Sequence, residues 1–490
     1  MKPHRKVSRR LSSYLLLFLS IVLALVLAGC GKGDDITVDP ADPGETPVSP
    51  PDDPDDDDGD DADDVDWAMA VAYVFDASVI PEIHIRVPQA EWDQLLAYYN
   101  ADNTTQAYVH CDVRYVKGSK ETELKDAGIR LKGNTSRRWP GDADNPQHVH
   151  FGLNFHKYNP DADHTLKGLR KMDLKWFKDD PNYVREVFCY DLFRRFGVWT
   201  AIRDVYARLW IQVGDHKERY YGVYGMMEHI DKNYLRIRRK EFGSKDGNLW
   251  KCAWGSNLSD TGKSMGVDDN KHTYAYELKT NKETGFAAAK TQLQGFIRNV
   301  RDLSGSEFDT WIASVMDVDL LLRTYAVNVA VGMWDDYWGN TNNYYLYFTT
   351  TDPAKYKVYM IPYDYDNTLG TCNNGLTGGD AGRQDPYNWG KEEAPLIRKI
   401  LQNSTWRAKY RDYLRELCLG SGLCSTDVAK DRIRAWQSSI SSFVSNDTGQ
   451  DMKIEDKPAS WGNHPEYRIL SGDAKTNWFE VKAATVSKMK

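Results

Sequence analysis

Trp334-Asp335-Asp336-Tyr337-Trp338-Gly339-Asn340-Thr341-Asn342-Asn343-Tyr344-Tyr345-Leu346-Tyr347 is the stretch on which the reading of this 490-residue chain turns. A second run, Ile361-Pro362-Tyr363-Asp364-Tyr365-Asp366-Asn367-Thr368-Leu369-Gly370, follows closely. Residues 319–331, just upstream, are strongly apolar and predict a buried helix. Residues 344–348 and 357–361 are rich in β-formers and predict two strands. A buried helix therefore ends in a loop holding two carboxylates and three amides, and a strand hairpin then delivers two more carboxylates. Carboxylate and amide oxygens are hard ligands suited to Mg²⁺ or Ca²⁺. An Asp set away from such an ion can accept a proton from a hydroxyl.

Further from this centre the chain reads as α+β, with mixed strands first and more helix later. Residues 81–87 alternate like a strand, and Pro88 opens a helix with Trp92, Leu95, Leu96 and Tyr99 on one side. Residues 108–115 and 128–131 predict further strands. Residues 207–213 and 219–227, joined through Gly214 and Asp215, predict a hairpin. From Ala394 onward the pattern is helical and amphipathic. The chain holds 16 Trp and 29 Tyr, which suit broad packed surfaces and also occur in sugar-binding clefts, so a glycan-associated, Ca²⁺-binding surface protein is a reading to weigh.

The first thirty residues read as an export signal. Lys2, Arg5, Lys6, Arg9 and Arg10 precede a mostly apolar run over 15–27, which ends in Leu27-Ala28-Gly29-Cys30. A Cys at that position resembles the lipobox of bacterial lipoproteins. Residues 1–29 are then a signal peptide, and lipid on Cys30 anchors the chain to a membrane of the cell envelope, facing the surface or the periplasm. Residues 30–66 carry sixteen Asp or Glu against one Lys, with little that is apolar. Such a stretch cannot bury enough surface to order itself and serves as an extended tether, leaving 67–490 as the folded part. The formal charge of −8 comes from this tether; the folded part is near neutral and has no basic footprint for nucleic acid. Apart from Cys30, six cysteines remain. An exported chain permits disulfides, Cys418 with Cys424 first among them; buried thiols are the alternative.

Phosphoryl transfer needs metal ions on the phosphates and an Asp to orient the nucleophile. Protein kinases place an Asp and an Asn before a strand hairpin and a second Asp before a Gly. Here the order is Asp336, Asn343, hairpin, Asp364, Gly370. Other blocks accompany it: Arg130-Leu131-Lys132-Gly133-Asn134-Thr135-Ser136-Arg137, the Tyr221-Gly222-Val223-Tyr224 to Glu228 segment, Asn248-Leu249-Trp250-Lys251 and Tyr276-Glu277-Leu278-Lys279. Together, from about residue 80 to about 480, they resemble the CotH-like (spore coat protein H) atypical kinases.

That resemblance implies an atypical protein-kinase-like fold, ATP, Mg²⁺ (or Mn²⁺ or Ca²⁺), and a protein substrate phosphorylated on Ser or Thr. By position it makes Asp336 the catalytic Asp and Asp364 the main metal ligand. Asp366 and either Asn340 or Asn343 become further ligands. Asn134 and Ser136 fall near the phosphates, with Arg130, Lys132 and Arg137 as charge partners. Glu228 falls near the nucleotide, and Lys251 and Lys279 are further phosphate contacts. The family's Lys-rich strand after the Gly-Asn-Ser loop is missing here: the matching 148–155 stretch has no Lys. A catalytically inactive kinase-fold surface binding protein or adhesin is accordingly the alternative to an active enzyme. Gly262-Lys263-Ser264 echoes a phosphate loop, but Asn257 stands where its first Gly is required.

Overall fold

The structure, a computed structural model, describes residues 67–490 except 160, 162–163, 268–272, 284, 373–378 and 460–465. Cys30, the apolar leader and the acidic stretch lie outside the described residues. Among the described residues no helix is long and apolar enough to cross a membrane.

Helix α1 (Trp67–Val74) leads into a closed barrel of seven strands. These are β1 (Glu82–Val87), β2 (Val109–Lys117), β3 (Lys120–Lys132), β4 (His150–Asn154), β5 (Lys171–Lys175), β6 (Asp204–Val213) and β7 (Arg219–Glu228). Their order around the barrel is β1-β2-β3-β4-β5-β7-β6. Every pairing is antiparallel except the one that closes it, β1 on β6. Strand β2 alternates buried and half-buried residues without a break, as a sheet with one face in a core requires. Ile83, Ile85, Val113, Ile129, Phe151, Leu174 and Ile211 belong to the resulting core. Helix α2 (Gln89–Ala101) starts directly after Pro88 and buries Trp92 and Leu95. Helix α3 (Arg185–Arg195) follows β5 and is buried along most of its length.

Short helices α4 (Lys232–Ile237) and α5 (Arg239–Phe242) lead to a second sheet of β8 (Asn248–Cys252), β9 (Met265–Val267), β10 (Tyr276–Leu278), β11 (Tyr344–Phe348) and β12 (Val358–Pro362). Its order is β12-β11-β8-β10-β9. Around it pack α6 (Phe286–Asp302), α7 (Gly305–Val315), α8 (Val318–Val331), α9 (Tyr337–Asn340), α10 (Pro395–Ile400), α11 (Ser404–Cys418), α12 (Thr426–Ile440) and α13 (Trp478–Val486). The chain is α+β, strand-rich up to β7 and helix-rich after β12.

Helix α8 positions the chemistry. Asp317 caps its start, accepting from Leu320 N at 3.0 Å. Gly332 ends it with φ of 71°, and a Cβ there would fall 2.2 Å from the Trp478 ring. The chain thus turns sharply into the Asp335 loop. Leu369 N donates to Val331 O at 2.8 Å, which ties the Asp364–Asp366 segment to the same helix end. Cys418 and Cys424 are both buried, and each is a free thiol.

Candidate functional site

The site begins with two adjacent carboxylates that have different surroundings. Asp335 accepts amide hydrogens from Asn340 (2.7 Å) and Asn342 (3.1 Å) on Oδ1 and from Asn343 (3.1 Å) on Oδ2. Thr341 and Asn343 have φ of 53° and 52°, backbone that Asn tolerates better than most residues and that lets the loop wrap one carboxylate. Burial, partly offset by the three amides, raises Asp335 to about 6. The charge of Asp364 adds to that rise.

Asp336, which the sequence reading makes the hydroxyl-orienting residue, is turned the other way. It caps α9, accepting from Gly339 N at 2.7 Å, and is 3% exposed. Burial lifts it to about 7. The phenols that feel its charge, Tyr325, Tyr337, Tyr365 and Tyr410, are buried core residues. Asp336 is thus engaged as a cap through one oxygen, with Oδ2 buried and unpartnered, while its neighbour Asp335 is held by side-chain amides.

Asp364 stands just past β12 with φ of 62°. Lys175, the last residue of β5, places its Nζ 2.6 Å from Asp364 Oδ1, 2.6 Å from Glu186 Oε2 on α3 and 3.8 Å from Asp366 Oδ2. One oxygen from each of Glu186, Asp364 and Asp366 lies within 4.8 Å of the others. This is one cation among three acids, an arrangement with room for a divalent ion. Burial disfavours the Lys175 charge, but Asp364 and Glu186 together hold the ammonium well above its ordinary range. Burial also works against the Asp364 carboxylate, and Lys175 outweighs it to keep that group lowered. Burial and the neighbouring Asp364 charge push Asp366 up, and Lys175, farther off at 3.8 Å, offsets this only in part.

Lys132, at the end of β3, joins the cleft through Tyr363 OH (2.8 Å) and Asp173 Oδ2 (3.2 Å). The turn beyond it starts at Gly133, with φ of 107°; a Cβ there would meet Ser136 Oγ at 2.6 Å and His150 Cδ2 at 3.5 Å. Asn134 is exposed and Ser136 half-buried on that turn.

Three other residues expected near a ligand hold the scaffold together. Arg137 donates to the carbonyls of Gly133, Asn103, Thr105 and Leu131, stapling the turn to the loop after α2. Arg130 is buried, bonded to Gln106 and stacked 5.3 Å over Tyr108. Glu228 is 1% exposed and carries both Arg238 (2.9 and 2.6 Å) and Arg203 (2.8 Å, with the Arg203 backbone N–H at 2.9 Å). Burial opposes its charge, yet the two guanidiniums bring Glu228 down to about 2. These bonds tie the end of β7 to Arg203 and to Arg238 at the start of α5. Lys251 and Lys279 sit on the second sheet: Lys279 bonds Glu277 at 2.6 Å, and Lys251 lies in register with Glu277 and Tyr345.

The residues that sequence reasoning missed are Lys175, Glu186 and Asp335. Lys175 ends β5, the strand paired with the lysine-free β4. Its signal was the alternation Lys171-Met172-Asp173-Leu174-Lys175, which sets Asp173 and Lys175 on one face with Lys171.

A family model described as "CotH kinase protein" matches residues 129–471. That span begins inside β3 and is narrower than the one read from sequence, but it contains every cleft residue named above. The chain is also similar to "Inner spore coat protein H" of Bacillus subtilis (strain 168), with 26% identity over 293 residues, covering 59% of this chain and 73% of that protein.

Proposed function

The chain belongs to the CotH kinase protein family, and from that premise we propose that it is a divalent-metal-dependent protein kinase with a kinase-like fold. It transfers the γ-phosphate of ATP to Ser or Thr hydroxyls of exported or surface proteins. The observation that carries the reading is the position of Lys175. A strand lysine bonded to a glutamate on the next helix, and within 2.6 Å of an aspartate just past a hairpin, is the set that protein kinases use to hold phosphates and metal.

The donor chemistry fits a hard cation. Asp364, Asp366 and the oxygen of Asn343 would hold Mg²⁺ or Mn²⁺, whose charge offsets that of the phosphates. Asn340 is the weaker candidate of the two amides, because its oxygen already accepts from Lys391 at 3.1 Å. Lys175 would pass from Asp364 to phosphate oxygens while Glu186 keeps it in place. Lys132 and the turn bearing Asn134 and Ser136 would flank the same phosphates. Asp335, fixed by three amides and still basic at about 6, would orient the acceptor hydroxyl and take its proton as the oxygen bonds to phosphorus. The bond from the γ-phosphorus to the bridging oxygen breaks and ADP leaves. Lipid on Cys30 and the acidic tether would place this chemistry at a membrane of the cell envelope.

The test is transfer of radiolabel from ATP to a Ser-rich acceptor by the full chain with Mg²⁺ or Mn²⁺. Label lost on Lys175→Ala and Asp364→Ala supports the proposal. No label with either metal, and no thermal shift on adding nucleotide, leaves a kinase-shaped binding protein as the better account.

A further inference from the structure

The Asp335 loop has a neighbour that the phosphate chemistry does not use. Trp254, just past β8, is 74% exposed, more than any other large apolar side chain among the described residues. It stands on a tightly held turn. Ser256 N donates to Ala253 O at 3.1 Å and closes that turn, whose third residue, Gly255, has φ of 93°. Ala253 N is tied to Ala275 O at 2.9 Å, and Leu258 N to Tyr276 OH at 2.9 Å. Ser256 N and Oγ both donate to Thr341 O, at 3.1 and 3.2 Å, and Tyr344 OH donates to Ser256 O at 2.6 Å. Thr341 lies between Asn340 and Asn342, whose amides hold Asp335. The strand register agrees: Tyr344 pairs with both Cys252 and Pro362, so two residues further on Trp254, Asn342 and Asp364 fall in one row.

We propose that Trp254 is the docking platform for the protein substrate. The acceptor segment runs extended from the Asp335 loop across this row and lays an apolar or aromatic side chain on the indole. That segment is a phosphate acceptor only on the kinase reading of the cleft, whereas its seat on Trp254 is a matter of binding alone. Neighbouring strands stand about 4.8 Å apart and an extended peptide advances about 3.3 Å per residue, so the docked side chain is about two or three residues from the acceptor Ser or Thr. A peptide suits this platform better than a sugar. Sugar hydroxyls need side-chain partners, and those around the turn are spent. Asn257 Oδ1 accepts from Ser259 N and Asp260 N, Asp260 Oδ1 accepts from Gly262 N, and Ser256 Oγ donates to Thr341 O. An apolar side chain needs only the ring face. A Trp whose backbone is already fixed loses little freedom on binding, which suits it to carry a large share of an interface's affinity.

Binding of labelled peptides to the full chain without ATP, read by fluorescence anisotropy, tests this. The probes carry one Ser and a single Phe, moved position by position along an otherwise Gly- and Ala-based sequence. The native chain is expected to bind best with Phe about two or three residues from Ser. Trp254→Ala should weaken that peptide about tenfold or more and make the position of Phe immaterial. Trp254→Phe should restore most of the affinity. Equal affinities of the native chain and Trp254→Ala overturn the proposal. So does a neutral oligosaccharide that binds the native chain, is lost on Trp254→Ala and displaces no peptide, which would make the indole a glycan platform. With no ATP present, a chain that never transfers phosphate can pass this test, and an active kinase can fail it.

Discussion

Two buried ion clusters lie on the paired strands β5 and β7, three register positions apart, and they differ in charge balance. At the end of β7, Glu228 receives four hydrogen bonds from Arg203 and Arg238. Two guanidiniums enclose one carboxylate, so both its oxygens are bonded and the excess charge is positive. At the end of β5, one ammonium, that of Lys175, serves Glu186, Asp364 and Asp366. The first cluster is closed and holds β7 to α5. The second keeps spare carboxylate oxygens and an amine whose partners can be exchanged. A buried pair is strongly destabilised by losing one member, so the cluster whose carboxylate is fully bonded should respond to substitution through stability. The other should respond through ligand binding and turnover.

The largest expected effect separates the two carboxylates beside α9. Asp335→Asn should lower phosphoryl transfer by about 10²–10⁴-fold, the usual loss of a general base. Asp336→Asn keeps the cap acceptor and should leave the turnover of folded protein nearly unchanged. Steady-state assays of both variants at matched folded concentration decide this. Equal losses would return the role to Asp336.

Next is the cleft cluster itself. Lys175→Ala removes a charge aimed at the phosphates and should cost about 10²–10³-fold in kcat/KM. Its melting temperature should fall little in Mg²⁺, since a divalent ion can replace the lost cation among the three acids. A large loss of stability that Mg²⁺ does not restore would make Lys175 a second structural joint. Glu228→Gln supplies the opposite arm: it strands two guanidiniums and should cost about 3–5 kcal/mol of stability. Chemical denaturation measures that. The fraction still folded should transfer phosphate at the native rate, and a selective rise in the KM for ATP would put Glu228 back at the nucleotide.

These contrasts also show which parts of the site a linear reading can reach. Helix α8, strands β11 and β12 and the acidic loops between them follow one another in the chain, and local patterns place them together. The barrel closes through a parallel pairing of β1 with β6 that joins residues more than a hundred positions apart, and no local period announces it. Strand β4, buried at every position, hides its alternation. The motif residues Arg130, Arg137 and Glu228 were conspicuous, but only their partners reveal that they brace the barrel. Lys175 was inconspicuous because its partners, on α3 and past β12, come from elsewhere in the chain.

The choice between Asp335 and Asp336 did leave a trace in the sequence, since an Asp three residues before a Gly suits a cap. That trace yields the smallest prediction. Asp336 is raised to about 7 in the fold, chiefly by burial, against 3.8 for an ordinary Asp. The folded chain therefore holds this proton more tightly than the unfolded chain. The resulting stability is full below about pH 4 and is lost as pH rises through about 7. Asn cannot ionise yet can still accept from Gly339. The native chain should thus lose a few degrees of melting temperature relative to Asp336→Asn between pH 4 and pH 8. A pH-independent difference would mean that Asp336 ionises in contact with water, and Asp336 would then share the cleft face with Asp335.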